Sequence, residues 1–344
     1  LPLRGGAVIL ALLLACAGGA DTDAADTGLP GVAAGFDDPV DPDAEHILAS
    51  SLVYTDGAGL VELRPDLTAV WSHDLGDDAG AQGAARLPDG STVYAWSAAP
   101  PAYRSRFERI DAAGQLVWSY DELVAIGFVH GILPTPAGDY LGLDTVAGEV
   151  VAFDEAGTEL WRLPVAEEGH DWHPNGMHLL DYGDGDVRLA LSMLERSTED
   201  APDALAVYRL GARDVLPTLL WRSLAATEHG DGAWTHGPRL LPDGTVLVCH
   251  SATGQVVAYD GGDGAELWRA PPTGAPPVLA FPRDVLPLSD GSWVLADAGV
   301  EIVRVADPRG AFEVVAATPA PGVFGLSPVA CGPDGGLPCL GSAR

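Results

Sequence analysis

The sequence predicts an all-β protein, a six-bladed β-propeller of four-stranded blades, and three observations carry that prediction. From residue 46 onward, short apolar runs alternate with Gly, Asp and Pro turns, and no stretch is long and helically periodic enough to form a helix. The stretch Thr235-His236-Gly237-Pro238-Arg239-Leu240-Leu241-Pro242-Asp243-Gly244 recurs in outline along the chain. With the turn glycine as a ruler mark, the residue eight positions earlier is Gln82, His130, Asn175, His236 or Arg283, ahead of Gly90, Gly138, Gly183, Gly244 and Gly291. A tryptophan closes successive units at Trp71, Trp118, Trp161, Trp221 and Trp268, at intervals of 47, 43, 60 and 47 residues. The long interval accommodates a polar insertion at 195–204. Periods of this size, with about four strands each, are those of propeller blades, which remove sheet edges by closing a ring.

Taken in order, the chain opens on Arg4 and the apolar run 7–15, which ends in Leu13-Leu14-Ala15-Cys16. A run this short cannot span a bilayer, and its small-residue end is that of an export signal. It resembles a bacterial lipoprotein signal at 1–16, with Cys16 as the lipidated residue. An ordinary signal peptide with an incidental cysteine is the alternative. Residues 17–45 carry eight acidic side chains and no arginine, a solvated tether with too little apolar surface to fold. The propeller is expected over 46–340, with complete blades at 81–120, 128–163, 171–223, 234–270 and 281–318. Ahead of them lie only three strands, at 47–54, 59–64 and 68–75. The C-terminal strand at 323–330 supplies the missing fourth, joining the N-terminal blade and closing the ring. There the ruler picks Ser327, eight before Gly335.

The charge count excludes some partners. The 344 residues carry 18 basic against 49 acidic side chains, a formal net charge of -31, and every basic residue is arginine. Such a surface repels nucleic acid and anionic lipid, so contact with a membrane is expected through the anchor alone. Without lysine there is no Schiff base and no phosphate-loop lysine.

Because the first strand of each blade lines the central channel, Gln82, His130, Asn175, His236, Arg283 and Ser327 are expected to converge on the axis. Glycine follows the first four, and is expected to keep the channel mouth open. Two imidazoles, an amide and a guanidinium suit a tetrahedral anion. A neutral imidazole can also attack sulfur or phosphorus while the others stabilise the developing charge. The many carboxylates are expected to raise histidine pKa values, with Arg283 opposing them.

The segments Val129-His130-Gly131-Ile132-Leu133-Pro134, Asp171-Trp172-His173-Pro174-Asn175-Gly176 and the stretch from His236 to Gly244 resemble the three histidine motifs of bacterial arylsulfate sulfotransferases. Those are periplasmic six-bladed propellers that move a sulfuryl group between phenols without a nucleotide cofactor. The resemblance covers roughly residues 80 to 270. It implies that His236 is transiently sulfated, that His130 and His173 flank it in catalysis, and that Asn175 binds substrate. Arg283 and Gln82 join it by the frame. The small-molecule partners implied are an anionic aryl sulfate donor and a phenolic acceptor, in the periplasm or cell envelope. Leu194 stands where the family carries an arginine, with Arg196 two residues on.

A non-catalytic envelope lipoprotein that binds or helps assemble partner proteins is the rival reading, and a metal-dependent lactonase or hydrolase is a third. No metal site is assigned, because no cysteine spacing fits zinc and carboxylates do not occupy the other frame positions. No cofactor is assigned either, the tryptophans being read as blade packing. His170, His178, His229 and His250 are read as solvated or core-satisfied, and Cys249 as a buried strand residue. Cys331 and Cys339 are spaced for either a disulfide or two free thiols.

Overall fold

The regular spacing of the frame comes from the turn that ends each inner strand. The amides of Gly90, Gly138, Gly244 and Gly291 donate to the carbonyls of Leu87, Thr135, Leu241 and Leu288 at 2.9, 3.0, 2.9 and 3.0 Å. These glycines have φ of +82, +85, +90 and +84°, where a Cβ would be strained. The computed structural model describes residues 46–329 except 52–58, 77–78, 99–103, 122, 124–127, 168, 197–201, 226–232, 273–277, 299–300 and 321. The signal at 1–16 with Cys16, the tether, His229, Cys331 and Cys339 therefore lie outside the described residues.

Among the described residues twenty-four strands follow one another. The N-terminal blade holds β1 (His46–Ser51), β2 (Gly59–Leu63) and β3 (Ala69–Asp74). The second holds β4 (Ala79–Arg86), β5 (Thr92–Ala98), β6 (Ser105–Ile110) and β7 (Leu116–Tyr120). The third holds β8 (Val129–Pro134), β9 (Tyr140–Asp144), β10 (Glu149–Phe153) and β11 (Glu159–Pro164). The fourth holds β12 (Trp172–Asp181), β13 (Val187–Glu195), β14 (Asp203–Arg209) and β15 (Thr218–Ala225). The fifth holds β16 (Thr235–Leu240), β17 (Thr245–His250), β18 (Gln255–Asp260) and β19 (Glu266–Ala270), and the sixth β20 (Pro282–Pro287), β21 (Trp293–Asp297), β22 (Glu301–Ala306) and β23 (Glu313–Pro319). The last strand, β24 (Val323–Val329), returns to the first blade. Each blade is a four-stranded antiparallel meander, and the closing sheet runs β24-β1-β2-β3, with His46 opposite Val329 and Ala49 opposite Leu326. The ring is thus closed by the chain end, as the sequence predicts. A 3-10 turn at Ser251–Thr253 is the helical element among the described residues.

The blades hold together by burying aromatic and aliphatic side chains between their faces. Phe107 of the second blade is fully buried and stacks on Phe153 of the third at 5.3 Å. Trp118 packs edge-on against Tyr140 at 5.3 Å, and its indole donates to Glu155 at 3.2 Å. Trp221 donates across the junction of the fourth and fifth blades to the Gly261 carbonyl at 2.8 Å. The recurring tryptophan is therefore an inter-blade wedge, each ring burying on the order of 200 Å².

The closure carries a polar latch. Arg239 of the fifth blade donates to the Val285 carbonyl at 2.9 Å, to Asp284 at 3.1 Å and to the Leu326 carbonyl at 2.9 Å. Asp284 accepts the Leu326 amide at 2.8 Å. One guanidinium and one carboxylate thereby join three consecutive blades, including the closing strand. Both are buried, so they are bound by the rule that buried charges must be paired.

Candidate functional site in the axial channel

Bulges aim the frame residues at the axis. In β4, β8, β12 and β20 the pairing jumps from Ala81 to Ala84, Val129 to Gly131, Pro174 to Gly176 and Pro282 to Asp284. Gln82, His130, Asn175 and Arg283 are thereby left outside the ladder, where a bulge redirects a side chain. In β16 the slip falls one step later, between His236 and Arg239. All five side chains are buried.

The sixth position is corrected by the structure. The ruler chooses Ser327, but Gly325 is the glycine that approaches Gly83, with a built Cβ 3.6 Å from its Cα. That makes Phe324, one residue earlier, the frame residue of the closing strand. Its ring lies 5.1 Å from that of His130, and the Arg283 guanidinium sits over it at 4.5 Å. Ser327 instead donates to the Ala84 carbonyl at 2.7 Å, one layer further along the channel with His178 and Arg239. The interval of eight from Phe324 falls on Gly332 rather than on Gly335.

The glycines after the frame also have a different task from the one expected. A Cβ on Gly237 would stand 2.5 Å from the Arg283 carbonyl oxygen, and its φ is +48°. A Cβ on Gly83 would stand 2.9 Å from the Cα of Gly131. These residues let neighbouring inner strands touch backbone to backbone around a narrow axis.

A cavity of about 420 Å³ occupies the channel. Gln82, His130, Asn175, Arg283 and Phe324 line it, together with apolar side chains such as Ile132 and Met177. His236 and His173 are not among its lining residues. His236 lies close enough to the others for its charge state to be coupled to both Arg283 and His130.

The hydrogen bonds fix the form of the two frame imidazoles. Thr145 Oγ1 donates its proton to the Pro174 carbonyl at 2.7 Å, so toward His130 Nδ1, 2.5 Å away, it acts as acceptor. The ring proton is therefore on Nδ1 and Nε2 carries a lone pair. That Nε2 is buried and meets no protein partner. Ser251 repeats the arrangement: it donates to the Pro282 carbonyl at 2.5 Å and receives His236 Nδ1 at 2.7 Å. Nδ1 of His236 also meets the Trp234 carbonyl at 2.8 Å, presented by a residue with φ of +52°. Asn175 Nδ2 donates to the Thr235 carbonyl at 3.3 Å, which leaves its Oδ1 as a buried acceptor without a protein partner.

Burial, with the nearby charges of Arg283 and Arg196, holds His130 well below the ordinary imidazole pKa. Burial and Arg283 do the same to His236, against the Trp234 carbonyl, which favours the charged ring. The expectation that carboxylates raise these pKa values is thus reversed locally. Asp284 in the channel is engaged with Arg239, and the charges that act on the two frame rings are the guanidiniums of Arg283 and Arg196.

Two residues before the frame lies a second layer: Phe128, His173, Trp234 and Phe281. Phe128 meets His130 at 5.7 Å, and Phe281 meets His236 at 5.6 Å and Trp234 at 5.9 Å. His173 belongs to this layer. Its Nδ1 lies 2.5 Å from the Thr145 carbonyl and 3.3 Å from Arg196 Nη1, and its Nε2 lies 3.1 Å from Asp171. Leu194 pairs with His173 in the ladder, and Arg196 supplies the guanidinium from two residues on. Reasoning from sequence left Arg196 unassigned and missed Phe324, Thr145 and Ser251. The two hydroxyl residues had a signal, since each lies fifteen positions after its histidine.

Among the described residues no group of three or more His, Cys, Asp and Glu side chains converges as metal ligands would. Cys249 is a buried free thiol in β17, its pKa raised by burial. His250 and His178 are buried, on Tyr259 and on the Leu240 amide respectively.

A profile of the family described as outer membrane protein assembly factor BamB matches residues 213–307. No curated protein matches the sequence. Solved structures do. A chain from a nidogen/laminin complex aligns with TM-score 0.59 and 11% identity over 83% of this chain and 99% of that one. The periplasmic gluconolactonase of Pseudomonas aeruginosa aligns with TM-score 0.56 and 11% identity over 84% and 99%. A 6-phosphogluconolactonase assigned from Bacteroides fragilis aligns with TM-score 0.55 and 10% identity over 85% and 100%. At such identities the likeness is one of fold: this chain is a six-bladed propeller, an architecture that those chains put to different uses.

Proposed function

We propose that the axial site carries sulfuryl transfer from an aryl sulfate to a phenol through a histidine intermediate. The observation that supports it most is the pair of buried, neutral imidazoles, His130 and His236, each held through Nδ1, with Nε2 of His130 meeting no protein partner, and the guanidinium of Arg283 acting on both. A lone pair on nitrogen next to a fixed cation is what attack on a sulfate ester needs, because sulfate oxygens repel an anionic nucleophile. In the first half-reaction His236 Nε2 forms a bond to sulfur as the S–O bond to the aryl group breaks, and the electron pair leaves on the aryloxide. In the second, the phenol oxygen attacks sulfur, the N–S bond breaks back onto Nε2, and the phenol proton passes to His130 Nε2 and on to water. Arg283 holds the sulfuryl oxygens throughout. Asn175, presenting an acceptor, orients the incoming hydroxyl, Gln82 lines the same wall, and His173 supports the cluster from the layer before it. His130 carries no proton on Nε2, so it cannot assist the leaving group, and donors with acidic phenols react fastest.

The location fits an exported chain anchored through Cys16 in the cell envelope, where a cofactor-independent transfer needs no nucleotide. Incubation with a chromogenic aryl sulfate and a phenol acceptor tests the reading. Phenol release is expected from the wild type and is lost in His236→Ala; no release by the wild type, or release unchanged in the variant, rejects it. The match of 213–307 to the assembly-factor profile supports a second reading, a propeller that binds other envelope proteins. In that case, recovery of an envelope partner is unaffected when His130 and His236 are both alanine.

A further inference from the structure

We infer that Thr145 and Ser251 are positioning residues that set which nitrogen of each axial histidine can react. The two hydroxyls stand in equivalent places on consecutive-strand corners, each one residue past the end of the second strand of its blade, β9 and β17 with their bulged partners β8 and β16. Ser251 lies beyond His250, and Thr145 beyond Asp144. Each makes two bonds of opposite sense. Thr145 Oγ1 donates to the Pro174 carbonyl at 2.7 Å and accepts from His130 Nδ1 at 2.5 Å. Ser251 Oγ donates to the Pro282 carbonyl at 2.5 Å and accepts from His236 Nδ1 at 2.7 Å.

The carbonyl is what gives the relay its direction. A hydroxyl alone can turn either way and would accept either imidazole tautomer. Pro174 and Pro282 are the residues just before Asn175 and Arg283, the frame residues of the next blade, and a carbonyl can only accept. Once the hydroxyl proton is committed to it, the imidazole has to donate from Nδ1. Free histidine prefers its proton on the other nitrogen, so the relay reverses the default and leaves the lone pair on Nε2. The same contacts tie each reactive ring to the strand that presents the next frame residue. A third hydroxyl at the same interval, Ser97 within β5, lies 3.5 Å from Gln82 Nε2 and bonds Ser105 at 3.1 Å, so the spacing recurs there without the relay.

The two relays are not equally redundant. His236 Nδ1 also meets the Trp234 carbonyl at 2.8 Å, which also favours a proton on Nδ1, whereas the Nδ1 contact that holds His130 in this form is the one to Thr145. Thr145→Val should therefore disturb its histidine more than Ser251→Ala disturbs its own.

The catalytic consequence rests on the transfer reading; the tautomer itself does not, and nitrogen-15 spectra of the histidine rings in the intact protein read it without any substrate. The wild type should show a protonated Nδ1 and an unprotonated Nε2 for both His130 and His236. Thr145→Val should move the proton of His130 to Nε2 and leave His236 unchanged. Ser251→Ala should give a partial shift at His236, and Ser251→Thr should restore the wild-type pattern. In the transfer assay, activity should fall by about tenfold to a hundredfold in Thr145→Val, the range for outer-shell partners that orient a reactive imidazole, and recover with Ser251→Thr relative to Ser251→Ala. A wild-type proton on Nε2, or nitrogen signals that ignore both substitutions in folded variants, overturns the inference. Correct tautomers without sulfuryl transfer would leave the relay standing and reject the transfer reading alone.

Discussion

Lowering the pH should unfold this protein through its buried histidines before its carboxylates titrate. Burial holds His130, His178 and His236 well below the ordinary imidazole pKa of 6.5, and brings His250 down to about 4. In the unfolded chain all four regain a pKa near 6.5, so below that value the unfolded state binds more protons and stability falls as pH falls. Each such group costs about 1.4 kcal/mol per pH unit once its unfolded form is fully protonated. With partial titration allowed for, the four remove about 5 kcal/mol between pH 6 and pH 5. Asp203 opposes them. Burial raises its carboxyl to about 6, against three backbone amides that favour the charge, so its contribution is complete below its ordinary 3.8 and is lost as pH rises through 6. It returns about 1 kcal/mol over the same interval, and the histidines win. Urea unfolding from about pH 8 to about pH 5 measures the sum, and His250→Gln, which keeps a polar partner for Tyr259, should flatten the slope by about one proton. A midpoint that does not fall with pH, or a variant with the wild-type slope, would refute the assignment of neutral buried rings.

Three further outcomes follow from the same contacts. Asp284→Ala strands the buried guanidinium of Arg239 and frees the Leu326 amide, and should cost about 3–5 kcal/mol in denaturant unfolding, whereas replacing Arg239 and Asp284 together with apolar residues should cost less. Gly237→Ala puts a Cβ 2.5 Å from the Arg283 carbonyl at a φ of +48° and should destabilise by more than about 2 kcal/mol, in contrast to Gly138→Ala, whose Cβ would meet nothing within 4 Å. Arg283→Gln removes the charge that depresses both axial histidines, so the titration midpoints of His130 and His236, followed by NMR, should rise while that of His178 stays in place.

What could be read from the sequence was what local turn chemistry dictates. Gly90, Gly138, Gly244 and Gly291 close hydrogen-bonded turns that demand positive φ, so counting back from them lands at or beside the bulge of each inner strand, on Gln82, His130, His236 and Arg283. The tryptophans were legible for a related reason, since a large ring at the same place in each unit has to pack on its neighbour. The count slipped on the closing strand because the sequence offers more than one glycine there: eight back from Gly335 is Ser327, and eight back from Gly332 is Phe324. Thr145 and Ser251 offered only their spacing of fifteen from each histidine, because their role depends on the carbonyl of the next blade, a contact between residues far apart in sequence. The sign of the histidine shifts was misjudged because net charge counts surface carboxylates, while the axis sees burial and two guanidiniums. Arg196 was set aside on spacing to a pattern, yet the bulged path of β12 brings His173 within 3.3 Å of it.

Mass spectrometry of protein quenched during turnover of an aryl sulfate tests the central claim most directly. The account predicts one sulfuryl group on His236, present with donor alone, discharged when a phenol is added, and absent in His236→Ala. An unmodified His236 under conditions where phenol is being released, or a sulfuryl group that persists after acceptor is added, would contradict it.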